Sequence, residues 1–208
     1  MQSNIVIVDY GMGNLRSVQN KLKRIYCISE ISSDPQIIDN ADKLILPGVG
    51  HFANGMRKLK ELNLINTLNK KVVTEKTPVL GICLGMQLMG NFSEEGSVNG
   101  LGWIDAQTVL FKIPEADKYK IKVPHIGWND VRIDSGSVLF KDVPVGAEFY
   151  FVHSYHYMTT DDNLIIGITN YCYDFVSYVE KVNIFGTQFH PEKSQDGGMQ
   201  LLKNFINL

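Results

Sequence analysis

The first half of the chain alternates short apolar runs with amphipathic runs, and this alternation limits the fold more than any other feature. Three strand-like runs are each followed by a helical pattern: 4–11 then 14–25, 43–50 then 54–72, and 77–82 then 84–92. Strands that alternate with helices in this way predict a parallel sheet that is covered by helices on both faces.

The second half changes to mostly strand-like segments, and a helical pattern closes the chain at residues 197–208. Neither a change of composition nor an internal repeat marks a linker between domains. We therefore predict one α/β domain over residues 1–208. Its sheet is expected to be open, mostly parallel and twisted, with flanking helices and an antiparallel or mixed extension in the second half.

Charge and cysteine content exclude several classes of function. The chain carries 20 Lys and Arg against 22 Asp and Glu, without the basic stripe that nucleic-acid or membrane-surface binding usually needs. Its three cysteines include no CxxC pair and its five histidines are scattered, which argues against a disulfide framework and a metal site. No run approaches the roughly 20 apolar residues of a membrane span. We expect a cytoplasmic protein with no metal, no cofactor, and no nucleic-acid or membrane partner.

Cys83 lies in the run Gly81-Ile82-Cys83-Leu84-Gly85, between a predicted strand and a predicted helix. This arrangement is typical of a nucleophile elbow, in which glycines allow a sharp turn that exposes the central side chain. A helix that begins just after the cysteine stabilises its thiolate, and the backbone N–H of Leu84 can donate to an oxyanion. A free cysteine is more often a small buried hydrophobe, and Cys27 and Cys172 receive that interpretation.

His190 is the best candidate for the base that such a nucleophile requires. It ends an apolar strand-like run and is followed by Pro191 and Glu192. Residues two apart in an extended segment point to the same side, so Glu192 can hold the imidazole while the other ring nitrogen faces Cys83. Taken alone, His-Pro-Glu is equally consistent with a surface turn.

The segment Pro47-Gly48-Val49-Gly50 follows another predicted strand. Its glycines allow the backbone to approach a ligand and present N–H groups to it, although a plain turn would have the same composition. All three segments follow strands, and ligands of open α/β sheets bind at the carboxyl ends of strands. Together they predict a nucleophilic cysteine enzyme.

Three motifs, PGVGHF, GICLGMQL and QFHPEKS, resemble those of the class I, triad-type glutamine amidotransferases. The opening DYGMGNLRSV and the segment VPHIGWNDV are similar to glutaminase subunits of imidazole glycerol phosphate synthase. The resemblance covers about residues 4 to 205. It implies release of ammonia from glutamine through a γ-glutamyl thioester.

The resemblance also implies roles for individual residues. Cys83, His190 and Glu192 would form the catalytic triad, and Gly48, Val49, Gly50 and Leu84 would form the oxyanion side of the site. Glutamine would be held by Gln87, Glu95, Ser154 and Tyr155. The implied partner is a (β/α)₈-barrel cyclase subunit that receives the ammonia through a channel in histidine biosynthesis. Its expected docking face lies near Tyr10, Asn14, Trp128 and Asn129.

Two other functions stay open at the level of sequence. The segment 100–113 resembles paralogous glutaminases that feed ammonia to a sugar amidotransferase in surface-polysaccharide pathways. A stand-alone cysteine hydrolase, such as a γ-glutamyl hydrolase, would share the elbow, but the SEEG and DYGMGNL segments argue against it. Nucleotide binding through GMGNLR fails because Arg16 stands where the third glycine of a dinucleotide motif is required.

Overall fold

One mixed sheet, parallel in its first half, runs through the part of the chain that the structure describes. The structure is a computed structural model that describes residues 3–117, 119–133 and 136–208. The strands are β1 Ile5–Val8, β2 Ser29–Ser32, β3 Lys43–Gly48, β4 Val79–Cys83, β5 Phe92–Ser93, β6 Val98–Asn99, β7 Gln107–Leu110, β8 His125–Asp130, β9 Arg132–Ile133, β10 Glu148–His153, β11 Tyr155–Met158, β12 Ile165–Asn170, β13 Asp174–Lys181 and β14 Ile184–Thr187. The α-helices are α1 Leu15–Arg24, α2 Pro35–Asp39, α3 Phe52–Glu61, α4 Leu64–Asn69, α5 Leu84–Leu88 and α6 Gln195–Ile206.

The strand order is β2-β1-β3-β4-β14-β13-β11-β7-β5-β6, and β12 and β9 extend the sheet beside β13. Pairing is parallel from β2 through β14 and antiparallel from β14 to β13, β11 and β7. Strands β8 and β10 form a separate antiparallel pair. The predicted α/β fold, with a parallel sheet and a mixed extension, is therefore confirmed.

The parallel strands β1, β3, β4 and β14 are buried on both faces, as their apolar sequences predict. In β1, Val6 and Val8 belong to one hydrophobic cluster while Ile5 and Ile7 belong to another, and all four side chains are buried. Because side chains alternate along a strand, the two clusters lie on opposite faces of the sheet. The sheet is thus the central layer between two cores.

Four elements differ most clearly from the sequence prediction. The helix expected over 54–72 is broken at Asn63, whose left-handed backbone (φ 54°, ψ 29°) separates α3 from α4. Asparagine tolerates this conformation better than most residues, so the chain can change direction there. The strand expected over 4–11 and the helix expected over 84–92 are both shorter, and the closing helix begins and ends two residues earlier than 197–208.

The region between α1 and β3 contains an edge strand and a short helix that the sequence pattern did not predict. Strand β2 is only partly buried, so it lacks the continuous apolar run of the central strands. Helix α2 begins after Asp34, whose side chain accepts a hydrogen bond from the N–H of Gln36, and Pro35 is its first residue. Both features favour a helix start, but five residues are too few for a periodic pattern.

Candidate active site

Cys83 is the last residue of β4, and α5 begins at the next residue. Its backbone has φ 54° and ψ −110°, a region that residues other than glycine seldom adopt. Such strain persists only where the surrounding structure imposes it, and it is common at active sites. The predicted strand–turn–helix elbow is therefore present.

The two glycines of the elbow allow close packing beneath the cysteine. A Cβ atom on Gly85 would lie 1.7 Å from the carbonyl oxygen of Leu46, in the neighbouring β3. A Cβ on Gly81 would lie 2.7 Å from the backbone nitrogen of Met86, at the start of α5. Both distances are far below van der Waals contact, so any larger residue would push the helix away from the sheet.

Strand register brings the three predicted motifs to one edge of the sheet. Gly48 at the end of β3 is paired with Cys83 at the end of β4. On the other side of β4, Thr187 of β14 is paired with Ile82. The residues after Thr187 therefore emerge beside the cysteine, and they lead directly to His190. This is the carboxyl edge of the parallel strands, where α/β sheets bind ligands.

His190 and Glu192 form a buried pair. The His190 Nδ1 atom lies 2.8 Å from Glu192 Oε1, and the two side chains are 2% and 3% exposed. A carboxylate accepts a hydrogen bond, so Nδ1 carries a proton and donates a hydrogen bond to Glu192. The other ring nitrogen, Nε2, is buried and has no hydrogen-bond partner among the described residues.

The environment of His190 favours its charged form. Burial alone lowers the pKa of an imidazole, but the nearby Cys83 sulfur and the Glu192 carboxylate both favour the charged ring, outweigh burial and raise the pKa of His190 to about 10. A protonated imidazole beside Cys83 places a proton donor next to the sulfur. The arrangement can therefore hold a nucleophilic sulfur together with a proton donor.

A cavity of about 410 Å³ opens in front of Cys83. Its walls include eight of the predicted site residues: Val49, Gly50, Cys83, Leu84, Gln87, Glu95, Ser154 and Tyr155. Gly48, His190 and Glu192 do not line it. Gly48 lies in the strand beneath the cavity, and the histidine and glutamate are buried.

Gln87 and Glu95 have partners that fix their orientation. The Gln87 Nε2 atom donates to the carbonyl oxygen of Tyr155 at 3.1 Å and to Gln188 Oε1 at 3.0 Å. Its two amide hydrogens are therefore used, and Oε1 is the atom left to accept a hydrogen bond. Glu95 Oε2 accepts from the backbone N–H of Phe52 at 2.6 Å, which places its carboxylate at the first residue of α3.

Two residues of the site were not predicted as members of it. Gln188 is fully buried, and its Nε2 atom lies 3.7 Å from Cys83 Sγ. His153 lines the cavity and is held by the carbonyl oxygen of Tyr155 and by His125, its Nε2 lying 3.1 Å from His125 Nδ1. Burial lowers the pKa of both histidines, to about 4 for His125. The pairing of β14 with β4 identifies Gln188 as a neighbour of Cys83, because Thr187 lies opposite Ile82.

The predicted docking residues do not all reach the surface. The side chain of Tyr10 is fully buried, so the prediction that it lies on a docking face is wrong. Its ring packs into the core and its hydroxyl points at Gly48, because a Cβ on that glycine would lie 2.2 Å from the oxygen. Asn14 is exposed and caps α1, Trp128 is 44% exposed, and Asn129 is half-buried.

Within residues 3–117, 119–133 and 136–208, no group of three or more His, Cys, Asp and Glu side chains is arranged to hold a metal ion. None of the helices in the same residues has both the length and the apolar character needed to cross a membrane.

Comparison with solved structures places the fold among amidotransferases. A crystal structure of a glutamine amidotransferase superposes with a TM-score of 0.72 at 17% identity, covering 97% of each chain. A glutamine amidotransferase from Thermotoga maritima gives a TM-score of 0.62 at 17% identity, over 100% of this chain and 82% of that one. At such identities the likeness concerns the fold alone.

Comparison of sequences gives stronger matches. The chain is 52% identical to imidazole glycerol phosphate synthase subunit HisH 2 of Methanococcus maripaludis, over 97% of this chain and 98% of the relative. It is 45% identical to subunit HisH 2 of Pseudomonas aeruginosa and 43% identical to subunit HisH 1 of Campylobacter jejuni, over 98% of this chain in both cases and 99% and 100% of the relatives. The profile of glutamine amidotransferase class-I matches residues 6–208. The chain therefore belongs to the class-I glutamine amidotransferase family.

Proposed function

We propose that this chain is the glutaminase subunit of an imidazole glycerol phosphate synthase and that Cys83, His190 and Glu192 are its catalytic triad. The observation that carries the proposal is the buried His190–Glu192 pair beside a cysteine whose backbone is held in a left-handed elbow. The relatives that match nearly the full chain at 43–52% identity support the assignment of the subunit.

The reaction begins when the Cys83 thiolate attacks the side-chain amide carbon of glutamine. A bond forms between sulfur and carbon, and the carbonyl electron pair moves to oxygen. The backbone N–H of Val49, between Gly48 and Gly50, and that of Leu84, the first residue of α5, stabilise this oxyanion. When the oxyanion collapses, the carbon–nitrogen bond breaks and His190 Nε2 gives its proton to the departing ammonia.

The product of the first half is a γ-glutamyl thioester on Cys83. His190, now neutral, removes a proton from water as the water attacks the thioester carbon. Collapse of the second oxyanion breaks the sulfur–carbon bond, releases glutamate and restores the thiolate. Glu192 keeps Nδ1 protonated throughout, so the same ring nitrogen, Nε2, gives and takes the proton.

Residues that line the cavity hold the substrate. Gln87 Oε1 is left free of its own partners to accept a hydrogen bond from glutamine, and Glu95 supplies a carboxylate for the α-ammonium group. The Ser154–Tyr155 segment also lines the cavity. The cavity, about 410 Å³, is at the lower end of the volumes of small-molecule sites.

Ammonia released into water would mostly become ammonium and lose its nucleophilicity. We therefore propose that the chain forms a heterodimer with a (β/α)₈-barrel cyclase subunit, which receives the ammonia by a channel and supplies the lyase activity of the complex. The docking face includes Asn14, Trp128 and Asn129, but not the side chain of Tyr10. Its support is the exposed apolar surface of β8, where Ile126 is 59% and Trp128 is 44% exposed.

The partner is also expected to activate the glutaminase by reorienting the Val49–Gly50 loop, which lines the cavity and would present its N–H groups to the oxyanion. Gly50 has φ 107°, which allows this peptide to reorient without the steric cost that a Cβ would add. The single domain over residues 1–208 and a cytoplasmic location complete the proposal. Three cysteines without disulfides among the described residues support a reducing compartment.

A second candidate keeps the glutaminase and changes the acceptor of ammonia. Segment 100–113 resembles glutaminases that serve a sugar amidotransferase, and the relatives from three organisms carry a number, 1 or 2, after the subunit name. The acceptor distinguishes the two candidates. The chain should support ammonia transfer to the cyclase substrate in the first case and to a nucleotide sugar in the second.

Trapping with hydroxylamine tests the proposed intermediate. Hydroxylamine attacks a γ-glutamyl thioester to give γ-glutamyl hydroxamate and the free thiol, so the complex with glutamine should form the hydroxamate at the expense of glutamate. The matched control is Cys172→Ala, which removes a cysteine outside the site and should form as much hydroxamate as the unaltered chain. Hydroxamate from Cys83→Ala, or none from the unaltered complex, would contradict the proposal.

A further inference from the structure

Gln188 occupies the position beside Cys83 on the strand that leads to His190. The parallel pairing of Thr187 with Ile82 places the next residue of each strand, Gln188 and Cys83, side by side. Gln188 is fully buried, and its Nε2 atom lies 3.7 Å from Cys83 Sγ, within the range of hydrogen bonds to sulfur. The cysteine thus has an amide on one side and Gly48 on the other.

The direction of the Gln188 amide is set by a chain of hydrogen bonds that ends on a backbone carbonyl. The Tyr155 carbonyl oxygen can only accept, so the Gln87 amide must turn its Nε2 toward it. The same nitrogen then donates to Gln188 Oε1 at 3.0 Å. Because its oxygen is engaged, Gln188 must present its Nε2 hydrogens to the sulfur.

A hydrogen-bond donor directed at sulfur favours the charged form of a thiol. It also restricts the cysteine side chain to a rotamer that faces the cavity, because leaving this bond would leave a buried amide hydrogen unpaired. Both effects matter before substrate arrives. Both effects come from the Gln188 amide and do not involve His190, the proposed base.

We propose that Gln188 is a positioning residue that donates its side-chain amide to the Cys83 sulfur, holds the sulfur toward the cavity and stabilises the thiolate. Gln87 gives this donor its direction. The inference rests on the proposed role of Cys83 as the nucleophile and adds a residue to the site of the same reaction.

Several other titratable groups act on Cys83 and must be kept in place in any test. His190 and Glu192 follow β14, and Tyr10 follows β1. Glu95 and His153 lie in the walls of the same cavity. Replacement of Gln188 by an uncharged side chain leaves all five groups unchanged, so a shift in the ionisation of Cys83 in that variant can be assigned to the lost donor.

The test is the pH dependence of Cys83 alkylation by iodoacetamide, measured on the full chain by peptide mass spectrometry with the Cys172 peptide as internal reference. Gln188→Glu keeps an acceptor for Gln87 but removes the donor, and Gln188→Met has a similar length without polar atoms. We expect the midpoint of Cys83 ionisation to rise by about one pH unit in Gln188→Met, so that about tenfold less thiolate is present at pH values below the midpoint, and to rise further in Gln188→Glu, whose carboxylate adds a like charge beside the sulfur. Gln107→Met, an exposed control, should keep the original midpoint.

A midpoint that stays unchanged in folded Gln188→Met and Gln188→Glu would overturn the inference. Should neither variant fold, NMR of the unaltered chain decides: the Gln188 side-chain amide signals should titrate with the midpoint of Cys83 alkylation, and no such step should occur in Cys83→Ala. Amide signals that ignore the ionisation of Cys83 would overturn the inference as well.

The proposed function and the proposed role of Gln188 can each fail without the other. Glutamate release that survives Cys83→Ala would contradict the proposed function. Loss of release in Cys83→Ala, together with an unchanged alkylation midpoint in the Gln188 variants, would contradict only the role of Gln188.

Discussion

His190 Nδ1 lies 2.8 Å from Glu192 Oε1, and neither side chain is more than 3% exposed. The carboxylate and the nearby cysteine oppose the effect of burial and raise the pKa of His190 to about 10. The pair therefore supplies a protonated acid at neutral pH, with its free ring nitrogen on the side of the nucleophile.

Glu192→Gln removes the negative charge behind His190 but keeps the shape of the side chain. The pKa of His190 should fall, because burial is then opposed by Cys83 alone. We expect the kcat for glutamate release by the complex to drop about 10²-fold or more, with a smaller change in KM. Asp196→Asn, an exposed carboxylate at the start of α6, is the control and should change kcat little. A kcat within twofold of the original would contradict the role of Glu192.

Acid should destabilise the fold through His125 and His153. Burial lowers the pKa of His125 to about 4 and that of His153 well below its usual value, whereas the unfolded chain has histidines near 6.5. Between about pH 6.5 and about pH 4 the unfolded state binds more protons, so the free energy of unfolding falls as pH falls. His190 has the opposite sign, since its raised pKa contributes stability that is lost as pH rises through about 10.

Urea unfolding at pH 5 and pH 7.5 measures the acid effect. His125→Phe, which keeps a ring between Phe151 and Tyr171, should reduce the pH dependence by up to about 1.4 kcal/mol per pH unit. His51→Asn retains a side chain able to cap α3 and should leave the dependence unchanged. An equal pH dependence in His125→Phe and the original chain would show that this histidine does not carry the effect.

Gly85→Ala should disrupt the elbow. The added Cβ would lie 1.7 Å from the Leu46 carbonyl oxygen, and backbone cannot move aside as a flexible side chain can. We expect a loss of about 3 kcal/mol or more in the free energy of unfolding, or failure to fold. Gly146→Ala is the control, because φ is 75° but nothing lies within 4 Å of its Cβ. That change should cost about 1 kcal/mol, and equal losses in the two variants would contradict the packing argument.

Trp128→Ala should weaken the complex with the cyclase subunit. An exposed tryptophan at the centre of an interface commonly contributes about 2 kcal/mol or more, so we expect Kd to rise about 30-fold. Val182→Ala is the control. Val182 is 83% exposed and lies just before the amino end of β14, whereas the active site lies at the carboxyl ends of the parallel strands. Calorimetric titration of the barrel subunit gives both values. An equal Kd for Trp128→Ala and for the original chain would exclude Trp128 from the docking face.

The sequence predicts β1, β3 and β4 of the parallel half well, because these strands are apolar and each is followed by a recognisable turn. It also locates Cys83, the Gly48–Gly50 loop and His190 at one edge, since parallel strands share their carboxyl ends. The break at Asn63 was not predicted, because one left-handed residue barely alters an amphipathic pattern. Strand β2 at the edge carries no continuous apolar run and was missed for that reason.

Three features of the site depend on contacts that a linear pattern does not contain. Tyr10 adjoins exposed residues in sequence, but its ring is buried in the core. Gln188 became recognisable as a neighbour of Cys83 only when the register of β14 against β4 was known. His125 and His153 meet because β8 and β10 pair antiparallel. In each case long-range packing, and not local propensity, decides where the side chain lies.

The most direct test of the account compares two sources of ammonia in one complex. The chain carrying Cys83→Ala is mixed with the barrel subunit, and glutamate release and cyclase product are both measured with glutamine and then with ammonium salt. The account predicts no glutamate and no product from glutamine, but undiminished product from ammonium. Glutamate release by the Cys83→Ala complex at the rate of the unaltered complex would contradict it.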